Sequence, residues 1–266
     1  MRVNWSVTRL GRWLVEQLLL PNETSMSQFH GPAGVFAGLP YNADDATQQH
    51  TLGTRMVCSD GRAFRYALVG SGAALVVGNL LQSAAEDTAD QNISPTAAAI
   101  GDTQIVTSDT MTVTANQYAG GYVTVTVTPG LGQTFRIKSH AAYTAAAATF
   151  ILEDPIQVAL TTTSRLDFYP NLYNGVIQNP ASRTGAVVGV AVNDISASRY
   201  GWIQTWGPCN VLSNGALTVG SVVVRADNAG AVEVGANGTT EAFAPVGHAI
   251  TGVASGENGL VYLQIS

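Results

Sequence analysis

Hydrophobic and polar residues alternate along most of the chain after about residue 54. Segments such as RAFRYALV, GYVTVTVTPG and YGWIQTW are rich in Val, Thr and aromatic residues and are bounded by Gly, Asn, Asp or Pro. This pattern is typical of β-strands, in which successive side chains point to opposite faces of a sheet. The strand segments follow one another at short, regular intervals. The pattern therefore predicts an all-β protein, with a barrel or sandwich architecture.

Helical patterns are restricted to a few segments. An imperfect apolar stripe runs through residues 7–20 and predicts an amphipathic helix. The segments SAAEDTADQ, TAAAI and AAYTAAAA are rich in alanine, which favours helix by propensity. Because they are short and lie between strands, they are weaker helix candidates than residues 7–20.

The N-terminal part of the chain differs from the rest. Met26 opens a stretch whose composition matches the remaining sequence, so we expect Met26 to be the true start and residues 1–25 to reflect an upstream-start assignment; if translated, they form a lone helix or a frayed arm. Residues 26–53 predict an extended arm, because Gly and Pro recur too often for a helix. An arm this apolar should lie on a surface, such as that of a neighbouring subunit. Its candidate interface residues are Phe29, Val35, Phe36, Leu39 and Tyr41.

Weak internal repeats predict the domain organisation. Residues 70–84 resemble 213–227, and residues 186–206 resemble 244–266, with His248 standing where the first copy has Val190. These similar units flank a dissimilar middle. We therefore expect one discontinuous β domain, made of residues 54–90 and 181–266, and a second β domain inserted at residues 91–180.

Composition limits the kinds of partner. Only 11% of the residues are charged, against about 25% in a typical soluble domain. Eleven of the twelve basic residues are arginines, which are favoured at protein interfaces. The net charge of −6 argues against nucleic-acid binding, which needs a basic face. No long apolar run predicts a membrane span. The composition instead favours a protein packed against copies of itself or against a partner.

No pattern in the sequence predicts catalysis, a metal or a cofactor. Cys58 and Cys209 stand far apart, outside any CxxC motif, and are best interpreted as small apolar side chains, although a single bridge between them stays possible. The four histidines lack metal-ligand spacing. Adjacent acidic residues point to opposite faces of a strand and so make poor acid–base pairs. We expect a protein that is not an enzyme.

The segment RYGWIQTWGPC concentrates the rare residue types. With a period of two, Tyr200, Trp202 and Trp206 share one strand face. Aromatic rings in a row can stack on sugar rings, cover a core, or form a subunit contact. In the second copy of the repeat this face carries Leu260, and Tyr262 is expected on the other face. The strand thus belongs to a duplicated framework, which favours packing or an interface.

Four segments together resemble virion structural proteins of tailed bacteriophages. They are DGRAFRYALVGSGAALVVGNLLQSA, TANQYAGGYVTVTVTPGLGQTFRIKSH, TFILEDPIQVAL and GVAVNDISASRYGWIQTWGPCNVL. The resemblance covers residues 50–266 and is strongest to head decoration, or cement, proteins on the outer capsid. It is a resemblance of composition and β motif, and it carries no functional residues over to this chain.

The resemblance implies a role and a set of partners. It implies a non-enzymatic protein that binds and stabilises the capsid shell, is assembled in the host cytoplasm and resides on the head surface of the virion. The expected partners are the major capsid protein and further copies of the chain, as a trimer, with no nucleic acid, membrane or cofactor. The alternative is a tail or fibre component that binds host surface glycan through the Trp202 and Trp206 face.

Overall fold

The computed structural model describes residues 40–235 and 245–265 of the 266-residue chain. The predicted helix at residues 7–20 lies outside the described residues. So do four of the five candidate interface residues of the arm, Phe29, Val35, Phe36 and Leu39. Tyr41 is the arm candidate that the structure describes.

The described chain is almost entirely β-structure, as the alternating pattern predicts. Two short 3-10 helices, Pro40–Asn42 and Thr88–Asp90, accompany fifteen strands. The strands are β1 (Arg55–Val57), β2 (Ala63–Val69), β3 (Leu80–Gln82), β4 (Gln104–Val113), β5 (Tyr122–Val127), β6 (Thr134–His140), β7 (Tyr143–Leu152), β8 (Arg165–Tyr169), β9 (Asn174–Gln178), β10 (Val187–Ala191), β11 (Tyr200–Leu212), β12 (Val222–Arg225), β13 (Val232–Val234), β14 (Pro245–Ala249) and β15 (Asn258–Gln264).

Ten strands form one large sheet, in the order β1-β2-β9-β3-β10-β11-β15-β14-β12-β13. This sheet curls twice around the long strand β11. The first half of β11 pairs back with β2, which closes a ring of β2, β9, β3, β10 and β11 that we call unit 1. A parallel bridge between Ser213 and Val232 closes a second ring of β11, β13, β12, β14 and β15, which we call unit 2.

Units 1 and 2 are copies of one fold, in agreement with the sequence repeats. In unit 1 Val190 pairs with Leu80; in unit 2 His248 pairs with Val222. The closing parallel contact is also repeated, as Val69 with Val176 and as Ser213 with Val232. Their cores match position by position: Ala67, Leu75, Val188 and Ile203 in unit 1 correspond to Val211, Leu217, Val246 and Val261 in unit 2.

The other five strands form a separate barrel in the order β4-β7-β6-β5-β8, which we call the inserted barrel. Residues 93–95 close it, because Ile93 bridges to Leu166 on β8 and Pro95 bridges to Thr107 on β4. Its core is made by alternating residues of all five strands. Phe150, Phe168 and Tyr118 lie at its centre, with ring centroids 4.4–6.2 Å apart.

One pair of facing loops recurs in all three units, and we call it the clasp. An antiparallel bridge joins Leu75 to Ile195 in unit 1, Leu217 to Val253 in unit 2 and Ala98 to Leu160 in the inserted barrel. Three residues after the first bridge residue stands a glycine with positive φ, namely Gly78 (85°), Gly220 (79°) and Gly101 (93°). Each glycine N–H donates to a carbonyl on the facing segment at 2.8–2.9 Å, which belongs to the last residue of β10 for Gly78, the last residue of β14 for Gly220, and Ile156 for Gly101. The inserted barrel therefore shares a motif with its host, although its sequence is dissimilar elsewhere.

Several local predictions need correction. The alanine-rich segment AAYTAAAA lies mostly in strand β7, and TAAAI lies in a clasp loop; only SAAEDTADQ contains a helical turn, at Thr88–Asp90. In β7, pairing with β4 and β6 overrides the helix propensity of alanine. Strand β9, inside the predicted inserted segment 91–180, pairs with β2 and β3 of the large sheet. Leu260 and Tyr262 lie on one face, because residues two apart in a strand share a face.

Candidate functional site

The aromatic residues of β11 lie in different environments. Trp202 is 1% exposed, whereas Tyr200 and Trp206 are half-buried. Trp206 meets Tyr262 edge-on at 6.0 Å between ring centroids, and Tyr200 stacks on Tyr66 at 6.1 Å. The three rings that the sequence places on one face therefore do not form one open platform.

Residues from the arm end cover Trp202. The imidazole of His50 lies 5.3 Å from the Trp202 ring and 5.1 Å from the Tyr66 ring. The Tyr66 hydroxyl donates to Asp45 Oδ2 at 3.2 Å and accepts from the Gln49 N–H at 3.1 Å. Burial raises the pKa of Tyr66 to about 12, so this hydroxyl stays protonated at neutral pH. The group works as packing that fixes the strap of residues 41–58 onto unit 1.

The acidic residues near the arm also hold loops in place. Asp44 accepts from the Ser196 N–H at 3.1 Å and from the Ser196 hydroxyl at 3.0 Å, and it lies 4.0 Å from Arg199 Nη1. Within residues 40–235 and 245–265, no group of three or more His, Cys, Asp or Glu side chains could hold a metal ion.

Both cysteines are free and buried. Cys209 belongs to the core of unit 2, and burial raises the pKa of its thiol to about 12. Burial also raises the pKa of Cys58, which packs beside Phe64 and Trp202. Because the thiolate is the reactive form, neither side chain has the properties of a nucleophile.

Sequence reasoning missed a buried polar cluster in the inserted barrel. The Tyr118 hydroxyl donates to Asp90, and the Tyr118 N–H donates to His140 Nε2 at 3.0 Å. His140 Nδ1 lies 2.8 Å from the Ala141 carbonyl, which makes Nδ1 the protonated nitrogen of a neutral imidazole. Burial lowers the pKa of His140 and raises that of Asp90. Both ring nitrogens are thus occupied by backbone groups, and the cluster joins three segments of chain.

A cleft of about 520 Å³ separates unit 1 from the inserted barrel. The carboxylates that line the cleft are hydrogen-bonded within the surrounding loops. Glu86 accepts from Gln91 at 2.6 Å, and Asp87 caps the 3-10 helix that begins at Thr88. Tyr169 and Leu172 contribute the exposed apolar part of the wall, at 38% and 51% exposure. The cleft offers an apolar surface without a free pair of carboxylates for acid–base chemistry.

The clasps carry exposed apolar side chains at equivalent positions. The residue before the clasp glycine is Val77 in unit 1, Ile100 in the inserted barrel and Val219 in unit 2, with exposures of 47%, 68% and 66%. Val76 and Val158, on clasp loops as well, are 48% and 49% exposed. The shared sequence signal is a small-residue run followed by a β-branched residue and Gly, which the sequence repeats contain in two of the three units.

Comparisons with known proteins add no identity. No protein-family model, no curated protein and no solved structure matches this chain. Among the residues that the structure describes, no helix is long and apolar enough to cross a membrane. The surface of the molecule is therefore the remaining guide to its function.

Proposed function

We propose that this chain is a virion structural protein that binds and stabilises the outer capsid shell of a tailed phage, without enzymatic activity. It acts there as a homo-oligomer, taken to be a trimer, whose principal partner is the major capsid protein. The resemblance of residues 50–266 to head decoration proteins motivates the proposal.

The apolar clasp tips carry the proposal. Three units of the chain each expose a β-branched side chain at the same place, namely Val77, Ile100 and Val219. Isolated exposed apolar residues are ordinary, but repetition at equivalent loop tips favours contact with a surface that also repeats. A capsid offers many equivalent sites, so weak contacts from several units and several subunits add up through avidity. Binding to the assembled shell alone stabilises it by mass action.

The glycan-binding alternative loses support at Trp202. That ring is 1% exposed and lies beneath His50 and the strap of residues 41–58. A sugar ring needs an open aromatic face. Tyr200 and Trp206 on β11 are half-buried, and their rings contact Tyr66 and Tyr262 respectively.

The proposal predicts extra density on the head surface of particles that carry the protein. Cryo-electron microscopy of particles with and without the chain tests this directly. An unchanged head surface, or density on the tail, contradicts the proposal.

A matched pair of variants tests the clasp tips. We expect the triple change Val77→Ser, Ile100→Ser and Val219→Ser to weaken co-sedimentation of the protein with capsids that lack it. Leu172→Ser is the control, because Leu172 is 51% exposed between β8 and β9 and lies outside the clasps. Equal binding by both variants would show that the clasps do not contact the shell. Sedimentation velocity of the free protein checks the trimer.

A further inference from the structure

The duplication allows the same outer surface to be compared in units 1 and 2. Strand register makes three outward positions of the two units equivalent, namely Gln204 and Tyr262, Val190 and His248, and Leu80 and Val222. The three side chains of unit 1 are buried, with exposures of 1% or less. In unit 2 the two rings are half-buried, and Val222 is 50% exposed. The same row is therefore covered in one copy of the fold and open in the other.

The cover on the unit 1 row is itself a copy of the same fold. Leu80 and Val190 belong to the hydrophobic cluster that forms the core of unit 2, together with Val232 and Leu263. The Leu80 N–H also donates to the Gly230 carbonyl of unit 2 at 2.7 Å. The structure thus contains one example of what packs on this row, and that example is a second copy of the framework.

The corresponding surface of unit 2 stays open within the described part of the chain, and we call it the open face. It is formed by six side chains on or directly beside the adjacent strands β11, β15, β14 and β12, namely Trp206, Val222, His248, Ile250, Leu260 and Tyr262. The three aliphatic members are 37–50% exposed, and the three aromatic members are half-buried. The rings of His248 and Tyr262 stack at 5.2 Å between centroids, and Trp206 meets Tyr262 edge-on at 6.0 Å.

The charge of the open face fits a contact with another neutral surface. Its six members include no carboxylate, lysine or arginine, so a second chain that covers it buries no unpaired charge there. Interface cores are depleted of charged residues and enriched in aromatic ones. The outer surface of the inserted barrel differs, since Lys138 is exposed and Arg136 pairs with Glu153 at 3.2 Å. Of these two surfaces, the open face has the chemistry of an interface core.

The size of the open face also fits a contact between chains. Four adjacent strands span about 15–20 Å across a sheet, and alternate outward positions cover a similar length along it. The face thus offers roughly 300–400 Å², which is about half of the area that each partner buries in a standard interface. A patch of this size is often functional on a single chain. With a rim of neighbouring polar positions, it supports association that is weak in the free protein and depends on concentration.

We propose that the open face of unit 2 is a contact surface for a second copy of this chain. The second chain supplies to unit 2 the kind of cover that unit 2 supplies to unit 1. This inference rests on the self-association that the proposed function includes, and it assigns that association to one surface. It requires no capsid, so the purified protein alone is sufficient to test it.

Photo-crosslinking of the purified full-length protein identifies what covers the face. Leu260→p-benzoylphenylalanine places a photoreactive ketone on it, and Lys138→p-benzoylphenylalanine on the inserted barrel is the control. In a mixture of isotopically light and heavy chains, we expect the first variant to give peptide pairs that join a light chain to a heavy chain. The control should give none. Crosslinks confined to single chains, equal crosslinks from the two variants, or no crosslink from the Leu260 variant overturn the proposal.

A matched pair of charge variants gives an independent readout. The double change Val222→Lys and Leu260→Lys adds two like charges to the face, whereas Gln104→Lys and Thr110→Lys add the same charge at exposed positions of β4. Sedimentation velocity over a concentration series measures the dissociation constant of self-association. We expect the first pair to raise this constant by about tenfold or more, because like charges that meet in an interface repel, and the second pair to leave it unchanged. Circular dichroism confirms that both variants are folded.

The two ways in which this test can fail are distinguishable. A wild-type chain that stays monomeric at every concentration would overturn the inference together with the self-association of the proposed function. A wild-type oligomer that both lysine pairs leave equally stable would overturn the inference alone, because another surface would then join the chains.

Discussion

Single buried polar residues set how the described chain responds to pH. Asp90 is 4% exposed and accepts a hydrogen bond from Tyr118, which is itself 1% exposed. Burial disfavours the charged carboxylate and raises the pKa of Asp90, although the bond from Tyr118 acts in the opposite direction. The folded state therefore holds this proton more tightly than the unfolded state does.

Replacing Asp90 should flatten the pH dependence of stability. Because the folded pKa is raised, the contribution of Asp90 is fully present below its unfolded pKa of about 4 and is lost as the pH rises through the folded pKa. Asp90→Asn keeps an oxygen for the Tyr118 hydroxyl and removes the titration. We expect urea unfolding to show a smaller decline in stability above about pH 4 in this variant than in the wild-type protein.

The control for this titration is Asp154→Asn, since Asp154 is exposed. It should leave the wild-type slope in place. An Asp90→Asn protein whose stability declines as steeply as the wild type would show that other groups determine the slope.

The two cysteines should be protected from thiol reagents until the protein unfolds. Cys209 is 4% exposed with a pKa raised to about 12 by burial, and Cys58 is 7% exposed with its pKa also raised by burial. We expect Ellman's reagent at pH 8 to modify neither thiol in native buffer and both in urea, with Cys58 the first to react as urea rises. Rapid native labelling of Cys209 would contradict the buried position assigned to it.

Burial of individual residues could be predicted only in part. The interpretation of Cys58 and Cys209 as small apolar side chains is confirmed by their burial in the free state, whereas their spacing alone left a bridge open. The open or covered state of Trp202 and Trp206 does not, because it depends on residues 41–58, which lie about 150 positions upstream of β11. The Asp90–Tyr118–His140 cluster was missed for the same reason: its members stand 28 and 22 positions apart and have no sequence motif.

At the scale of elements, the clasp joins two facing loops in each of the three units. Its glycine places a backbone N–H against a carbonyl of the facing segment. The turn requires a positive φ, which glycine adopts at little cost. A Cβ added at Gly101 or Gly220 would meet nothing within 4 Å, so backbone conformation alone restricts these positions. Each clasp also places an exposed apolar residue directly before the glycine.

Gly220→Ala should destabilise the protein by about 1–2 kcal/mol, which is the cost of a left-handed conformation for an L-residue. Gly72→Ala is a matched control, because Gly72 also has open space around it and lacks a positive φ between 20° and 160°. That change should be neutral or stabilise by about 0.4–1 kcal/mol through the unfolded chain. Urea unfolding measures both variants, and equal stabilities would show that the clasp tolerates another turn.

Strand positions followed from alternation, whereas strand partners did not. QTFRIKSH coincides closely with β6, which alternates buried and outward side chains over most of its length. RAFRYALV coincides closely with β2, which is buried on both faces because Phe64 and Tyr66 lie under residues 41–58. Alternation was absent in the alanines of β7, whose small side chains carry no contrast between faces. It also missed β9, a five-residue strand of which only Val176 is buried. Tertiary pairing decides such segments, and pairing is not local.

At the scale of the whole molecule, the inserted barrel joins unit 1 between two strands that are already neighbours in the sheet. Strands β3 and β9 are neighbours, with Leu81 paired to Gln178, so the chain leaves and re-enters unit 1 at adjacent points. The inserted barrel has its own core and closes on itself through Ile93 and Leu166. Separate cores and adjacent chain ends are the features of a domain that tolerates insertion.

The inserted barrel should therefore fold without its host. A fragment of residues 86–172 retains all five strands, residues 93–95 that close the barrel, and the Asp90–Tyr118 bond. Excision breaks hydrogen bonds such as the one from Asn174 Nδ2 to the Gln117 carbonyl, whereas the core cluster of the barrel lies wholly within the fragment. A chain of this size buries roughly 60% or more of its unfolded surface, which is enough for marginal independent stability.

We expect dispersed amide proton shifts and a single cooperative urea transition. Phe150→Ala, at a fully buried position, should abolish that transition, since it costs about 3–5 kcal/mol. A wild-type fragment without dispersed shifts would show that unit 1 holds the inserted barrel together.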